Sequence, residues 1–111
     1  MEITEEKRRD ILILHVKGKI DASTAERLER GLLQPIEQGN IRLVVDMSGV
    51  DYISSIGLRI FLMAAKKLRA SGGGIALAAL QEPIRKVFTM AAFDKILPLL
   101  NGVESAIEAV S

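Results

Sequence analysis

A small α/β domain with a mixed, mostly parallel β-sheet flanked by helices is predicted by three features of the sequence. Three apolar runs, ILILHV at 11–16, IRLVVDMS at 41–48 and IALAAL at 75–80, have the near-continuous hydrophobicity of strands covered on both faces. The segments between them repeat apolar residues at helical spacing, and strands alternating with helices form a parallel sheet through crossover connections. Finally, a chain of 111 residues buries roughly two-thirds of its unfolded surface, enough for one core, so a single domain over 1–111 is expected.

Each element has a local reason. MEITEEK is more polar than the run after it and reads as an edge strand, joined by a turn near Arg8 to Asp10 and able to pair antiparallel with ILILHV. S-T-A-E from Ser23 is a capping box, with Glu26 reaching back, and Ala25, Leu28, Leu32 and Ile36 form one helical stripe. Pro35 predicts a kink, or an end near Leu33 with a second turn to Gln38, before Gly39 and Asn40 close the segment. IRLVVDMS is the second buried strand, and GVDYI is expected to be a short connection. A helix follows from about Ser55 to Ala70, stopped by Gly72 to Gly74, and IALAAL is the third buried strand. Pro83 suits the first turn of a helix carrying Ile84, Val87, Phe88 and Ala91 on one face. Ile96 to Leu99 is expected as a short last strand and Asn101 to Val110 as a terminal helix.

Composition narrows the function classes. Fifteen Lys plus Arg against fourteen Asp plus Glu leave a net charge of +1, which provides no long-range field for nucleic acid or an anionic membrane, so a partner must be recognised by shape. The absence of cysteine removes disulfides and thiolate nucleophiles and fits a cytoplasmic protein. MEITEEKRRD lacks the pattern of a signal peptide, and the longest apolar run, IALAAL, is far short of the ~20 residues that span a bilayer. A soluble intracellular domain without membrane insertion is expected.

No catalytic constellation emerges. His15, the sole histidine, lies inside a strand with no cysteine or second histidine to share a metal, and reads as a satisfied core residue. The glycines at 72–74 follow a helix and belong to no phosphate-binding motif, so they read as a stop and turn. Asp21 and Asp46 both fall near strand ends, where open α/β sheets carry their sites and where Asp also serves turns and caps; both readings stand. A nucleophilic triad at Ser55 fails for want of a base, so no enzyme, metal or cofactor is expected.

YISSIGLR at 52–59 places two hydroxyls where a strand gives way to a helix. At 100° per residue, Leu58, Phe61, Leu62, Ala65 and Leu68 form a face that packs on the sheet, while Ile56, Ile60 and Met63 form a second stripe near Arg59, Lys66 and Lys67. That stripe is either covered by a neighbouring helix or a docking patch for a protein partner. A serine in the first turn is also a site where phosphorylation adds about −1.5 to −2 charges that the helix terminus tolerates and an interface does not. Ser54 is sufficient as the helix cap and is also available as a second acceptor.

These segments resemble the STAS domain family, and within it the single-domain bacterial anti-sigma factor antagonists. GKIDASTAERL at 18–28 resembles the family's turn into its first helix, VDYISSIGLR at 50–59 its phosphorylation segment, and PIRKVFTMAAFDKIL at 83–97 its third helix and following strand. The resemblance implies a ββαβαβαβα order and a partner switch. An unphosphorylated antagonist binds an anti-sigma factor that is also a serine kinase, phosphorylation releases it, and a phosphatase resets it. It places the phosphoacceptor on Ser55 and the turn aspartate on Asp21; the position before Ser55, acidic in many antagonists, is Ser54 here. The expected partner surface comprises Asp21, Ser54, Ser55, Ile56, Gly57, Leu58, Ile60 and Met63, on a monomer or weak dimer. A STAS subunit of a transport or other signalling complex without phosphoswitching is the alternative.

Overall fold

The computed structural model describes all 111 residues. The elements run β1 (Glu2–Arg8), β2 (Ile11–Ile20), α1 (Ala25–Glu37), β3 (Arg42–Ile53), α2 (Ser55–Ala70), β4 (Gly74–Ala78), α3 (Glu82–Met90), a 3₁₀ turn (Phe93–Lys95), β5 (Leu99–Leu100) and α4 (Val103–Val110). The five-stranded sheet has the order β1-β2-β3-β4-β5, with β1 antiparallel to β2 and all other neighbours parallel. This is the predicted ββαβαβαβα order.

Alternation along the strands divides the core between two sheet faces. Leu12, Leu14 and Val16 of β2 and Leu43, Val45 and Met47 of β3 belong to the main core with residues of α1, α2 and α3. Ile11, Ile13, Val44, Ala76 and Ala78 pack instead with Ala106 and Val110 of α4. Phe61 of α2 and Phe88 of α3 meet edge to face, with ring centres 6.0 Å apart, a geometry aromatic pairs favour.

Several boundaries depart from the sequence expectations. GVDYI is strand: β3 continues to Ile53 because β2 runs alongside it, pairing Gly18 with Val50, Lys19 with Tyr52 and Ile20 with Ile53. Pro35 neither kinks α1 visibly into two elements nor ends it at Leu33; the helix runs through to Glu37 with Pro35 buried in its last turn. The Pro35 carbonyl accepts bonds from both the backbone and the side-chain amide of Asn40, each at 3.0 Å, which closes the helix end. The last strand begins at Leu99 rather than Ile96, since Leu97 turns inward as a fully buried core residue. The glycine stop is as expected, with Gly72 at a positive φ of 82° and the Gly73 N–H donating to the Leu68 carbonyl at 2.8 Å.

Candidate functional site

The carboxyl ends of β2 and β3 converge on one edge. Ile20 pairs with Ile53, and the Ser54 N–H donates to the Ile20 carbonyl at 2.8 Å, tying the start of α2 to the turn that leads into α1. In that turn, the Asp21 carboxylate oxygen Oδ1 accepts from the Ser23 hydroxyl at 2.6 Å, the Ser23 N–H at 2.9 Å and the Thr24 N–H at 3.2 Å. The Ser23 hydroxyl bond, partly opposed by desolvation and reinforced by the two amides, holds the Asp21 carboxyl below its ordinary range. Asp21 is therefore a fixed anion. The expected capping box at Ser23 does not form: Ser23 turns back to Asp21, and Thr24 occupies the cap position without a capping bond of its own, donating to the Lys19 carbonyl at 2.9 Å instead.

The two serines divide their roles. Ser54 is the N-cap of α2, with an extended backbone and a side-chain oxygen that accepts from the Gly57 N–H at 3.3 Å. Ser55 is the first helical residue; it is exposed, and its hydroxyl takes no part in the cap. Gly57, expected on the partner surface, is buried on the side of α2 that faces Ile20 and Ile53. A Cβ built there falls 2.5 Å from Ile20 Cγ2 and 2.9 Å from Ile53 Cγ1, so the absence of a side chain lets α2 settle onto the strand ends.

The faces of α2 are rotated from the expected division. Ile60 is only 5% exposed and belongs to the main core, as do Phe61, Ala64, Ala65 and Leu68, whereas Leu58 and Leu62 are half-buried. Packing of α1 along this flank is the reason, because it converts the middle of the expected stripe into interior. What remains outside is Ile56, at 43% exposed, and half-buried Met63. They line a groove of about 330 Å³ between α1 and α2, with Ala25 and Ile60 beneath them and Glu26, Glu29 and Arg59 at its rims. The α1 side of this groove was missed in the sequence because S-T-A-E assigned Glu26 to a cap; Glu26 and Glu29 at i, i+3 share one helix side and were the available signal.

Asp46 does not join the serines. With β3 extended to Ile53, it sits in mid-strand opposite His15, whose Nδ1 lies 2.7 Å from Asp46 Oδ2 and whose Nε2 lies 2.9 Å from Glu6 Oε1. His15 is thus satisfied as expected, but by two carboxylates at a half-buried site rather than in the core. The Asp46 hydrogen bond and then that of Glu6 raise the His15 pKa against a smaller desolvation effect. For Asp46, burial opposes ionisation, but the Ser48 N–H and His15 outweigh it and the pKa is lowered; the His15 bond, followed by Arg8, also lowers Glu6.

The signs predict a stability maximum. A histidine with a raised folded pKa stabilises fully below its unfolded value near 6.5 and loses that contribution as pH rises through the folded pKa; the lowered carboxylates lose theirs as pH falls through their folded pKa values. Thermal stability is expected to peak at about pH 5–6 and decline above pH 7. In His15→Gln the alkaline decline flattens, and unchanged curvature in melts from pH 5 to 9 would count against a stabilising role for the His15 contacts with Asp46 and Glu6.

A hydrogen-bonded aspartate, an exposed serine at a helix start and an apolar groove thus converge on one side of the α/β sheet. The STAS domain family matches residues 2–106, and the chain belongs to that family. It is 38% identical to BtrV of Bordetella bronchiseptica, assigned as an anti-sigma factor antagonist, across 98% of this chain and 94% of that protein. The crystal structure of an anti-sigma factor antagonist from Mycobacterium paratuberculosis superposes with a TM-score of 0.88 at 27% identity, covering 98% of this chain and 92% of that one. The fold is also that of the Bacillus protein SpoIIAA in its phosphorylated form, with a TM-score of 0.75 at 20% identity and coverage of 97% and 98%. No helix is long and apolar enough to cross a membrane.

Proposed function

We propose that this protein is an anti-sigma factor antagonist operating as a partner switch in the cytoplasm. Unphosphorylated, it binds an anti-sigma factor that is also a serine kinase, and so frees a sigma factor. The kinase transfers the γ-phosphoryl group of ATP to Ser55 Oγ, releasing ADP and the hydroxyl proton; the complex then separates, and a phosphatase hydrolyses the phosphoserine to begin the cycle again. The antagonist is the substrate of both enzymes and performs no catalysis itself.

The observation that carries this reading is the division of labour between the serines. Because Ser54 caps α2, the exposed Ser55 hydroxyl can be modified without removing a bond that holds the helix. The added charge lies at the positive end of a 16-residue helix, where it is tolerated within the fold. The 38% identity to BtrV over nearly the whole chain supports the same assignment.

Incubation of the purified protein with its anti-sigma factor and ATP tests it. One phosphate is expected on Ser55, with loss of the complex, whereas Ser55→Ala is expected to acquire none and to remain bound. Release of Ser55→Ala by ATP at the wild-type rate, or phosphate found only on Ser54, would reject Ser55 as the switch.

A further inference from the structure

We infer that the groove between α1 and α2 receives an amphipathic helix of the anti-sigma factor, with basic residues on the flank that meets α1 and acidic residues on the flank that meets α2. This rests on the proposed function and names the chemistry that the partner must bring to the surface beside Ser55.

The groove walls carry opposite charge. Glu26 and Glu29 of α1 stand on one side and Arg59 of α2 on the other, and one turn beyond Met63 the α2 side continues with Lys67. None of these four takes part in an ion pair: the chain's six pairs involve Arg8, His15, Lys19 and Arg42. The floor between them is apolar and contains Ile56, one of only three large hydrophobic side chains exposed in the whole chain, beside half-buried Met63. Two helices bounding an apolar floor offer ridges against which a third helix packs. The α2 wall of the groove, from Ile56 to Met63, extends about 10 Å at 1.5 Å per residue, or two helical turns, and Lys67 lines a second depression that adjoins it through Arg59 and Met63.

The charge division supplies direction. An apolar stripe alone accepts a helix either way round, but turning an amphipathic helix end for end exchanges its flanks, so oppositely charged walls distinguish the two orientations. It also supplies a route to release. Ser55 begins the basic wall, and a phosphate there places negative charge against the flank of the partner helix that is itself acidic. Repulsion then falls on the same contact that Arg59 and Lys67 formed with it.

The test is calorimetric titration of the purified anti-sigma factor kinase into the full-length protein. Exchanging the walls, in Glu26→Lys/Glu29→Lys/Arg59→Glu/Lys67→Glu, leaves net charge unchanged and so preserves any general electrostatic attraction. This variant is expected to bind at least tenfold more weakly than wild type. The milder Glu26→Gln/Glu29→Gln, which provides the reading if the exchanged variant melts below the assay temperature, is expected to bind more weakly with a smaller salt dependence. Loss of less than tenfold in a folded exchanged variant, or wild-type affinity and salt dependence in Glu26→Gln/Glu29→Gln, overturns the inference. If Ser55→Asp still abolishes binding in that case, the proposed function stands without it. Failure of the wild-type protein to bind any anti-sigma factor kinase overturns both.

Discussion

Ser55→Asp is expected to weaken binding to the anti-sigma factor by about two orders of magnitude or more, as charge placed in an interface without a partner costs roughly 2–5 kcal/mol. The same substitution is expected to leave Tm within about 2 °C of wild type, since exposed positions change stability by roughly 0.5 kcal/mol or less. Ser55 is exposed and Ser54 supplies the helix cap, so the new carboxylate displaces nothing in the fold. At the first helical position it gains about 0.3–1 kcal/mol from the helix dipole, which offsets its own hydration change within the free protein. Only across an interface does the charge lose water without compensation. A calorimetric titration paired with a thermal melt reads both halves. Wild-type affinity in Ser55→Asp would remove the electrostatic switch, and a large fall in Tm would show that the loss of binding came from unfolding.

Gly57→Ala is expected to lower stability by about 1–2 kcal/mol, or roughly 5–10 °C in Tm, against the ordinary direction for this substitution in a helix. Helix propensity alone favours Ala over Gly by about 1 kcal/mol. Opposing it, the new methyl falls 2.5 Å from Ile20 Cγ2 and 2.9 Å from Ile53 Cγ1. Ile20 is fully buried and Ile53 nearly so, and both end strands that are paired to each other, so neither can yield without disturbing the core. With both contacts under 3 Å the cost falls in the upper part of the roughly 1–3 kcal/mol range for overpacking, which exceeds the propensity gain and leaves a net loss of about 1–2 kcal/mol. Because α2 would have to lift from the strand ends, the Ser54–Ser55 segment moves with it, and weakened partner binding is expected alongside the lower Tm. A melt equal to or above wild type would show that the helix shifts without penalty.

The order of elements was legible because burial leaves periodic traces. Continuous branched runs mark strands covered on both faces, as Leu12, Ile13 and Leu14 are in β2, and the Gly72 to Gly74 run marks the end of α2. Errors arose where two segments far apart in sequence support each other. GVDYI contains a glycine and an aspartate and reads locally as a loop, yet pairing with Lys17 to Ile20 makes it strand and moves Asp46 away from the edge it was expected to share with Asp21. His15 likewise owes its partners to β1 and β3, which place Glu6 and Asp46 on either side of its ring.

The α/β class, the strand and helix order, and the location of two hydroxyls at a helix start are all local information, because propensity, capping and hydrophobic period act within a few residues. Packing in three dimensions made Gly57 a packing contact and not a surface one, and made Ile60 the floor of a groove whose far wall is α1. Those outcomes depend on where the flank of one helix meets another and on the space left above two strand ends. Such distances are set by the packed whole and leave no periodic trace in the segments that meet there.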